Sequence, residues 1–203
     1  MVDQSAKRAS DDGGISAGEE SSSPRMAVVL GLAVGSAVLF ALGLELTEFF
    51  GEFALDVDFK PFFIPYLLIS FVRFRISTLA IGTGAALGEG ALDVSEGYEL
   101  EDPLGFVGYV IGFMAFGWYL RDVADDPASG RAQTIAATLG AFVQATSEGL
   151  AFFLFETEAG LLDGVTSVLG NTVTHGLVLG AVPLVVLYSY LHGRVGTLDV
   201  SEE

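Results

Sequence analysis

Five polar residues that stand in otherwise apolar stretches are the ones whose types could do chemistry. Their carboxylate, amide and imidazole groups bind cations, share protons, and donate or accept hydrogen bonds. Such groups are costly away from water, so a polar residue in a long apolar run is a candidate for function. The five are Glu89, Gln144, Glu148, Asn171 and His175.

The apolar runs that carry these residues predict an all-α fold, an integral membrane bundle of six transmembrane helices. The chain has 203 residues, of which 51% are hydrophobic, and roughly twenty apolar residues cross a bilayer as a helix. The predicted domains are a disordered acidic tail (1–25), a membrane domain (26–194) and a short C-terminal tail (195–203). The predicted spans are 26–44, 59–72, 76–92, 104–120, 132–155 and 165–191.

The second span is too short for an ordinary crossing. Lys60 and Arg73 enclose an uncharged stretch that contains Pro61 and Pro65, and it is shorter than the roughly twenty residues that a full crossing needs. We therefore expect a short or kinked second helix. Whether 59–72 fully crosses stays open at this point.

The basic residues predict the orientation of the bundle. If all six segments cross, every lysine and arginine except Lys60 falls on one side. Membrane topology follows the bias of lysine and arginine, so both termini are predicted to be cytoplasmic. Without a crossing by 59–72, Arg73 and Arg75 would lie outside and the bias would be lost, so the bias favours six crossings.

The overall charge indicates the environment of the protein. The chain carries 26 acidic residues, 9 basic ones and a net charge of −17. An acid-rich, lysine-poor composition suits very salty water, so we expect a halophilic, archaeal source. The charge excludes nucleic acid as a partner. The chain contains no cysteine, which excludes disulfides and thiolate metal sites.

In the predicted orientation the five polar residues lie at similar depth, in the outer half of the membrane. Gln144 and Glu148 are one helical turn apart, as are Asn171 and His175, so each pair shares a helix face. Glu89 lies near the outer end of the third helix. The pattern predicts an outward-facing pocket between the third, fifth and sixth helices. The alternative is interhelical hydrogen bonding without a ligand, in which His175 bonds to Glu148.

Motifs for catalysis and metal binding are absent from the sequence. There is no His-Glu-x-x-His zinc pair, no Gly-x-Ser-x-Gly elbow and no P-loop. A metal site formed by Glu89, Glu148 and His175 is chemically allowed, but the spacing is not diagnostic. We predict no metal, no cofactor and no enzymatic activity. Because the sequence has no P-loop, energy for any transport would have to come from an ion gradient or a partner.

Small residues predict close packing of the first and third helices. Small faces let membrane helices approach closely, in one chain or between chains. Thr78, Gly82, Ala85 and Glu89 recur at helical spacing on the third helix. On the first helix the small residues form two series with a spacing of four, Ala33, Ala37 and Ala41 and the pair Gly31 and Gly35.

Together these features resemble the substrate-binding (S) components of energy-coupling factor (ECF) transporters, the vitamin-uptake class of ABC importers. The likeness rests on the alanine face of the first helix and the proline-containing second segment. It also rests on the Gly/Ala-rich third helix that reaches Gly88-Glu89, and on the polar start of the last helix from Asn171 to His175. It covers most of 26–194.

The resemblance implies a substrate-capture subunit of the cell membrane that binds a vitamin or related small nutrient. Ala33, Ala37 and Ala41 would dock on an ECF transmembrane coupling subunit, which two ATPase subunits drive. The acidic segment 45–60 would form a lid over the pocket. Carboxylates without a nearby cation would favour a cationic or hydrogen-bonding ligand, such as a thiamine-like or purine-like molecule.

Three other classes of function stay open at this point. The first is a gradient-driven small-molecule carrier or channel that uses Glu89 and Glu148 as proton sites. The second is an intramembrane enzyme with His175 and Glu148 as acid and base. The third is a scaffold without a ligand.

Overall fold

The computed structural model describes residues 24–54, 59–97, 102–155 and 160–195. In the described ranges the chain is all-helical as predicted, with 85% helix and no strand. Most of both predicted tails lies outside these ranges. Two stretches are π-helical: Tyr119–Val123 follows α4, and Thr172–Ala181 joins α6 to α7. The helices are α1 (Met26–Ala54), α2 (Phe63–Ser70), α3 (Arg75–Glu96), α4 (Asp102–Trp118), α5 (Gly130–Phe155), α6 (Leu161–Asn171) and α7 (Val182–Leu191).

Three helices in the described part of the chain are long and apolar enough to cross a membrane. They are Met26–Glu48, Pro103–Val123 and the continuous helix Leu161–Leu191. Large apolar side chains such as Leu30 and Val186 are exposed on their outer faces, where a bilayer would cover them. The chain therefore has the helices of a membrane protein.

The first helix continues well past its predicted end. The expected acidic loop 45–60 is wrong for 45–54, because α1 runs on to Ala54. Glutamate and leucine favour a helix, and the Thr47 hydroxyl donates to the preceding turn. Residues 55–58, which complete the expected lid, lie outside the described residues.

The short helix α2 lies at the centre of the bundle. It has 8 residues and packs against α1, α3, α4 and the continuous helix Leu161–Leu191. Phe62 and Tyr66 are fully buried. Eight helical residues span about 12 Å, and the hydrocarbon layer is about 30 Å thick. The second helix is therefore short, as predicted, and it forms core rather than spanning that layer by itself.

Aromatic rings surround α2 and form a continuous buried layer. The Tyr66 ring stacks on Phe116 with centroids 4.2 Å apart, and Phe62 contacts Phe113 edge to face at 5.4 Å. Such pairs add to the free energy gained from burial alone. We call the following set the aromatic layer: Phe40, Phe62, Tyr66, Tyr109, Phe113 and Phe116.

Glycines bring α1 and α3 into backbone contact. A Cβ added at Gly84 would overlap the carbonyl oxygen of Ala33, and one added at Gly88 would overlap that of Ala37. The close helix contact predicted from the alanine series of the first helix is therefore present within the chain, although α3 makes it through Gly84 and Gly88, which are not in the predicted small series. This contact fixes the position of α3 against α1. Glu89, next to Gly88, lies in the bundle interior and is 8% exposed.

Helix α4 also packs closely on α5, and it receives the small face of α3. A Cβ on Gly112 would lie 2.7 Å from the carbonyl oxygen of Gly140. The Ser147 hydroxyl, on α5, donates to the Leu104 carbonyl at 3.0 Å. Gly82 of α3 lies against Phe113 of α4. These approaches hold α3, α4 and α5 in one block.

Replacing Gly84 or Gly88 by alanine should force α1 away from α3. Overpacking of this kind costs about 1–3 kcal/mol, so Gly84→Ala should lower the unfolding free energy by that amount. Gly90→Ala is the matched control, since a Cβ there meets nothing within 4 Å. Unfolding by SDS in mixed micelles measures both variants. Equal stability of Gly84→Ala and Gly90→Ala would contradict the packing described.

Candidate functional site

Four side chains from separate elements meet at one end of the bundle. The Lys60 ammonium lies 2.9 Å from Glu89 Oε1 and 3.3 Å from Glu148 Oε1. Asn171 Nδ2 donates to Glu148 Oε2 at 3.3 Å. We call Lys60, Glu89, Glu148 and Asn171 the polar cluster. Three of the five residues predicted from sequence are thus brought together.

The backbone around Lys60 explains how a residue from the α1–α2 connection reaches this point. Lys60 precedes Pro61, which disfavours helical backbone for the residue before it. Phe62, the next residue, is anchored in the aromatic layer. The Lys60 side chain is therefore delivered beside the ends of α3 and α5, while α2 begins only at Phe63.

The polar cluster is largely shielded from solvent and carries an excess of negative charge. The side chains of Lys60, Glu89 and Glu148 are 15%, 11% and 22% exposed. Charges in such surroundings lose hydration and need a partner of opposite sign. The Lys60 ammonium also lies 5.5 Å from the ring centroid of Tyr109, within the range of a cation–π contact. Two carboxylates and a ring face thus form a cation site that the protein's own lysine fills.

Gln144 is buried one turn deeper than Glu148 on the same face of α5. It is 1% exposed, and its Cβ would lie 2.9 Å from a Cβ on Gly112. Neither atom of its amide has a hydrogen-bond partner among the residues that the structure describes. Such a buried group costs about 1–3 kcal/mol.

A second glutamine on α5 shows the contrast. Gln133 is also 1% exposed, yet its Oε1 accepts from the Ser70 hydroxyl at 3.0 Å and its Nε2 donates to the Pro127 carbonyl at 2.8 Å. The fold uses the amide of Gln133 to join elements. The amide of Gln144 makes no such connection to any residue that the structure describes.

His175 lies deeper than Asn171, against the aromatic layer. Its ring centroid is 5.3 Å from that of Phe62, and the residue is 2% exposed. The backbone between Asn171 and His175 is π-helical rather than α-helical as expected. Pro183 lacks the N–H that an α-helical turn needs, and the wider π-helical turn upstream accommodates it. π-Helical segments often occur at functional sites.

Sequence reasoning missed the role of Lys60. The expectation that the carboxylates have no nearby cation is wrong, because Lys60 pairs with both Glu89 and Glu148. A signal was present, since Lys60 is the one basic residue on the predicted outer side, where the carboxylates also lie. Tyr109 was missed as well, because it looks like any other aromatic residue of an apolar helix.

The alanine face of α1 has a use within the chain. Ala33 and Ala37 lie against α3 through their backbones, while all three alanines of the face remain half-buried. The space beside Gly31 and Gly35 is open, since an added Cβ at either would meet nothing within 4 Å. Docking of Ala33, Ala37 and Ala41 on a coupling subunit stays a prediction.

An open groove lies between α3 and α4, and the side chains of the polar cluster do not line it. It has a volume of about 610 Å³ and is lined mainly by apolar residues of α3 and α4, including Leu87, Phe106 and Val107. Within the described ranges, no group of three or more histidine, aspartate or glutamate residues is arranged to hold a metal ion.

Comparisons with known proteins identify no relative. No protein-family model, no curated protein and no solved structure matches the chain. The function is therefore inferred from the polar cluster and the fold.

Replacing Gln144 by methionine should not destabilise the protein. Methionine has a similar shape and removes an amide that has no partner, so the free energy of unfolding should stay the same or rise by about 1 kcal/mol. Gln133→Met, the matched control, should lower it by about 1–2 kcal/mol, because it breaks two bonds. SDS unfolding titrations compare the two. A Gln144→Met variant as unstable as Gln133→Met would mean that the amide has a structural role.

Proposed function

We propose that this chain is a multi-pass protein of the cell membrane that captures a small polar solute at the outer end of its bundle. The S component of an ECF-type importer works in this way, and a vitamin or related nutrient would be the solute. The observation that carries the proposal is the convergence of Lys60, Glu89, Glu148 and Asn171 at one end of the bundle. Residues with unrelated structural duties would be scattered along the helices.

The proposed orientation has six crossings and both termini in the cytoplasm. Contacts at the opposite end of the bundle support it. Arg75 pairs with Asp122 at 2.7 Å, and Arg121 donates to the Thr78 hydroxyl at 2.6 Å. The arginines at the start of α3 and in the π-helical stretch after α4 thus lie at one end of the bundle, away from Lys60, as expected of a cytoplasmic side.

The aromatic layer favours capture over conduction. Four residues follow one another along α2 and the residues before it: Lys60, Phe62, Tyr66 and Ser70. Because Phe62 and Tyr66 belong to the aromatic layer, this layer separates the polar cluster from the Ser70–Gln133 hydrogen bond on the other side. A channel needs a path lined by polar groups or a wetted pore. A capture protein needs access from one side alone, which fits this order of residues.

The second candidate function is a gradient-driven carrier. Lys60 sits between two carboxylates, and a proton or cation that competes for them would release the lysine. Intramembrane carboxylates serve proton transfer in many transporters. Uptake that continues without ATP and without partner subunits would favour this candidate.

The proposed partners are an ECF transmembrane coupling subunit and two ATPase subunits. The alanine face of α1 would contact the coupling subunit on its half-exposed side. Because the sequence has no P-loop, any work by ATP would have to come from such partners.

Labelling of single cysteines should establish the orientation. The chain has no cysteine of its own, so Ser95→Cys and Ala128→Cys each give one thiol at an exposed position of a natural cysteine-free background. A membrane-impermeant maleimide should label Ser95→Cys in intact cells and Ala128→Cys only after permeabilisation. The reverse pattern, or labelling of both from outside, would refute the proposed orientation.

Solute capture should depend on Glu148. Thermal unfolding of the purified chain with thiamine, adenine or a small primary amine should show stabilisation by at least one, because a ligand that binds the native state raises its stability. Glu148→Gln should weaken that binding about tenfold or more, since a charged hydrogen bond contributes about 1.5–3 kcal/mol. Glu45→Gln, which removes an exposed carboxylate of α1, is the control. Loss of binding in both variants, or in neither, would contradict the assignment.

A further inference from the structure

We propose that the polar cluster binds a solute that carries a primary-ammonium cation and, about 6 Å away, a neutral group that both donates and accepts hydrogen bonds. The spacing is the rise of four residues along α5 from Gln144 to Glu148, at about 1.5 Å per residue. This inference rests on the proposed capture function and names the class of solute for the same site.

The cationic half follows from the surroundings of Lys60. Its ammonium occupies a position bounded by two carboxylates and the Tyr109 ring, so the structure displays how a primary ammonium fits there. Two carboxylates face one ammonium, which leaves negative charge in excess. An anionic solute would add to that excess. Exchange of the lysine ammonium for that of a solute keeps the charge balance unchanged.

The neutral half follows from Gln144. Its amide is buried and has no partner in the described part of the chain, and buried polar groups in native proteins nearly always have one. Gln144 shares the helix face of Glu148, one turn toward the core. A primary amide donates and accepts at once, so its complement in the solute is a group of the same kind, such as a carboxamide.

Both halves lie on a single line into the bundle. Tyr109, beneath the Lys60 ammonium, and Gly112, against Gln144, are one turn apart on α4. Along α4, the position of the cation and the position of the amide are therefore one turn apart, in the same order as Glu148 and Gln144 on α5. A solute with only an ammonium group would leave the Gln144 amide without a hydrogen-bond partner. A solute with only a neutral amide would leave Lys60 paired with both carboxylates.

Three matched probes test the two halves separately. δ-Aminovaleramide carries both groups at about the required spacing, pentylamine carries the ammonium alone, and valeramide carries the amide alone. Isothermal titration of the full chain in detergent should give the highest affinity for δ-aminovaleramide. Gln144→Met should lower that affinity about tenfold, to the level of pentylamine, and leave pentylamine binding unchanged. Gln133→Met, the control, should change neither affinity.

Lys60 variants test the exchange. Lys60→Met removes the internal competitor and should raise the affinity for both amines, since a competing state reduces the apparent affinity by its population. Lys60→Arg keeps a cation paired with both carboxylates, so this variant should remain folded. Its guanidinium binds carboxylates through two parallel bonds, so it should weaken amine binding.

The outcomes separate this inference from the proposed function. Equal binding of the three probes, or no effect of Gln144→Met on δ-aminovaleramide, would overturn the class of solute. Stronger amine binding by Lys60→Arg would also overturn it. Capture of an anionic solute with the same dependence on Glu148 would overturn the inference and leave the capture function standing. A wild-type chain that binds no solute would overturn both.

Discussion

The need of buried carboxylates for a cation organises one end of this protein. Glu89 and Glu148 stand on different helices, and each would be expensive in the bundle without a partner. Lys60 meets both. Because it lies just before α2, the pairing ties the start of the central helix to α3 and α5, and Asn171 adds the last membrane-spanning helix through Glu148. One ammonium therefore joins four elements, and in the proposed capture a solute that replaced it would act on all of them.

Backbone contact between helices makes that convergence possible. Gly84 and Gly88 let α3 lie against the carbonyls of α1, and Gly112 does the same between α4 and α5. The space at the centre of these closely packed helices holds one short helix. This helix, α2, and the aromatic side chains around it fill that space. The site and the core are thus parts of one arrangement, in which glycines set the spacing and aromatic rings fill the volume.

The sequence predicted the class of fold and the grouping of several polar residues, while their depth in a membrane stays a prediction. Apolar runs and helical spacing are local signals, and they sufficed for an all-helical membrane protein and for the shortness of α2. The spacing of Glu89, Glu148 and Asn171 from their helix ends placed them at one level, and the structure brings them into one cluster.

Other features depend on contacts that no local pattern encodes. The pairing of Lys60 cannot be predicted from local sequence, because its partners lie 29 and 88 residues away in the chain. The prediction for 45–54 was wrong because acidic residues suggest solvent, although the acids of this segment are glutamates, which favour helices. The difference between Gln144 and Gln133 cannot be found from spacing, since both are glutamines of one helix. It arises from which partners the tertiary structure supplies.

The short central helix also has an electrical consequence. A membrane potential falls mainly across regions of low dielectric constant from which water is excluded, and in the proposed orientation the aromatic layer around α2 is such a region at the centre of this bundle. In the proposed orientation a cation held by Glu89 and Glu148 lies on the outer side of that layer. It reaches its site before it crosses most of the potential, so binding there requires little electrical work. The work of about 2.3 kcal/mol per charge for each 100 mV would arise only in passage beyond the rings.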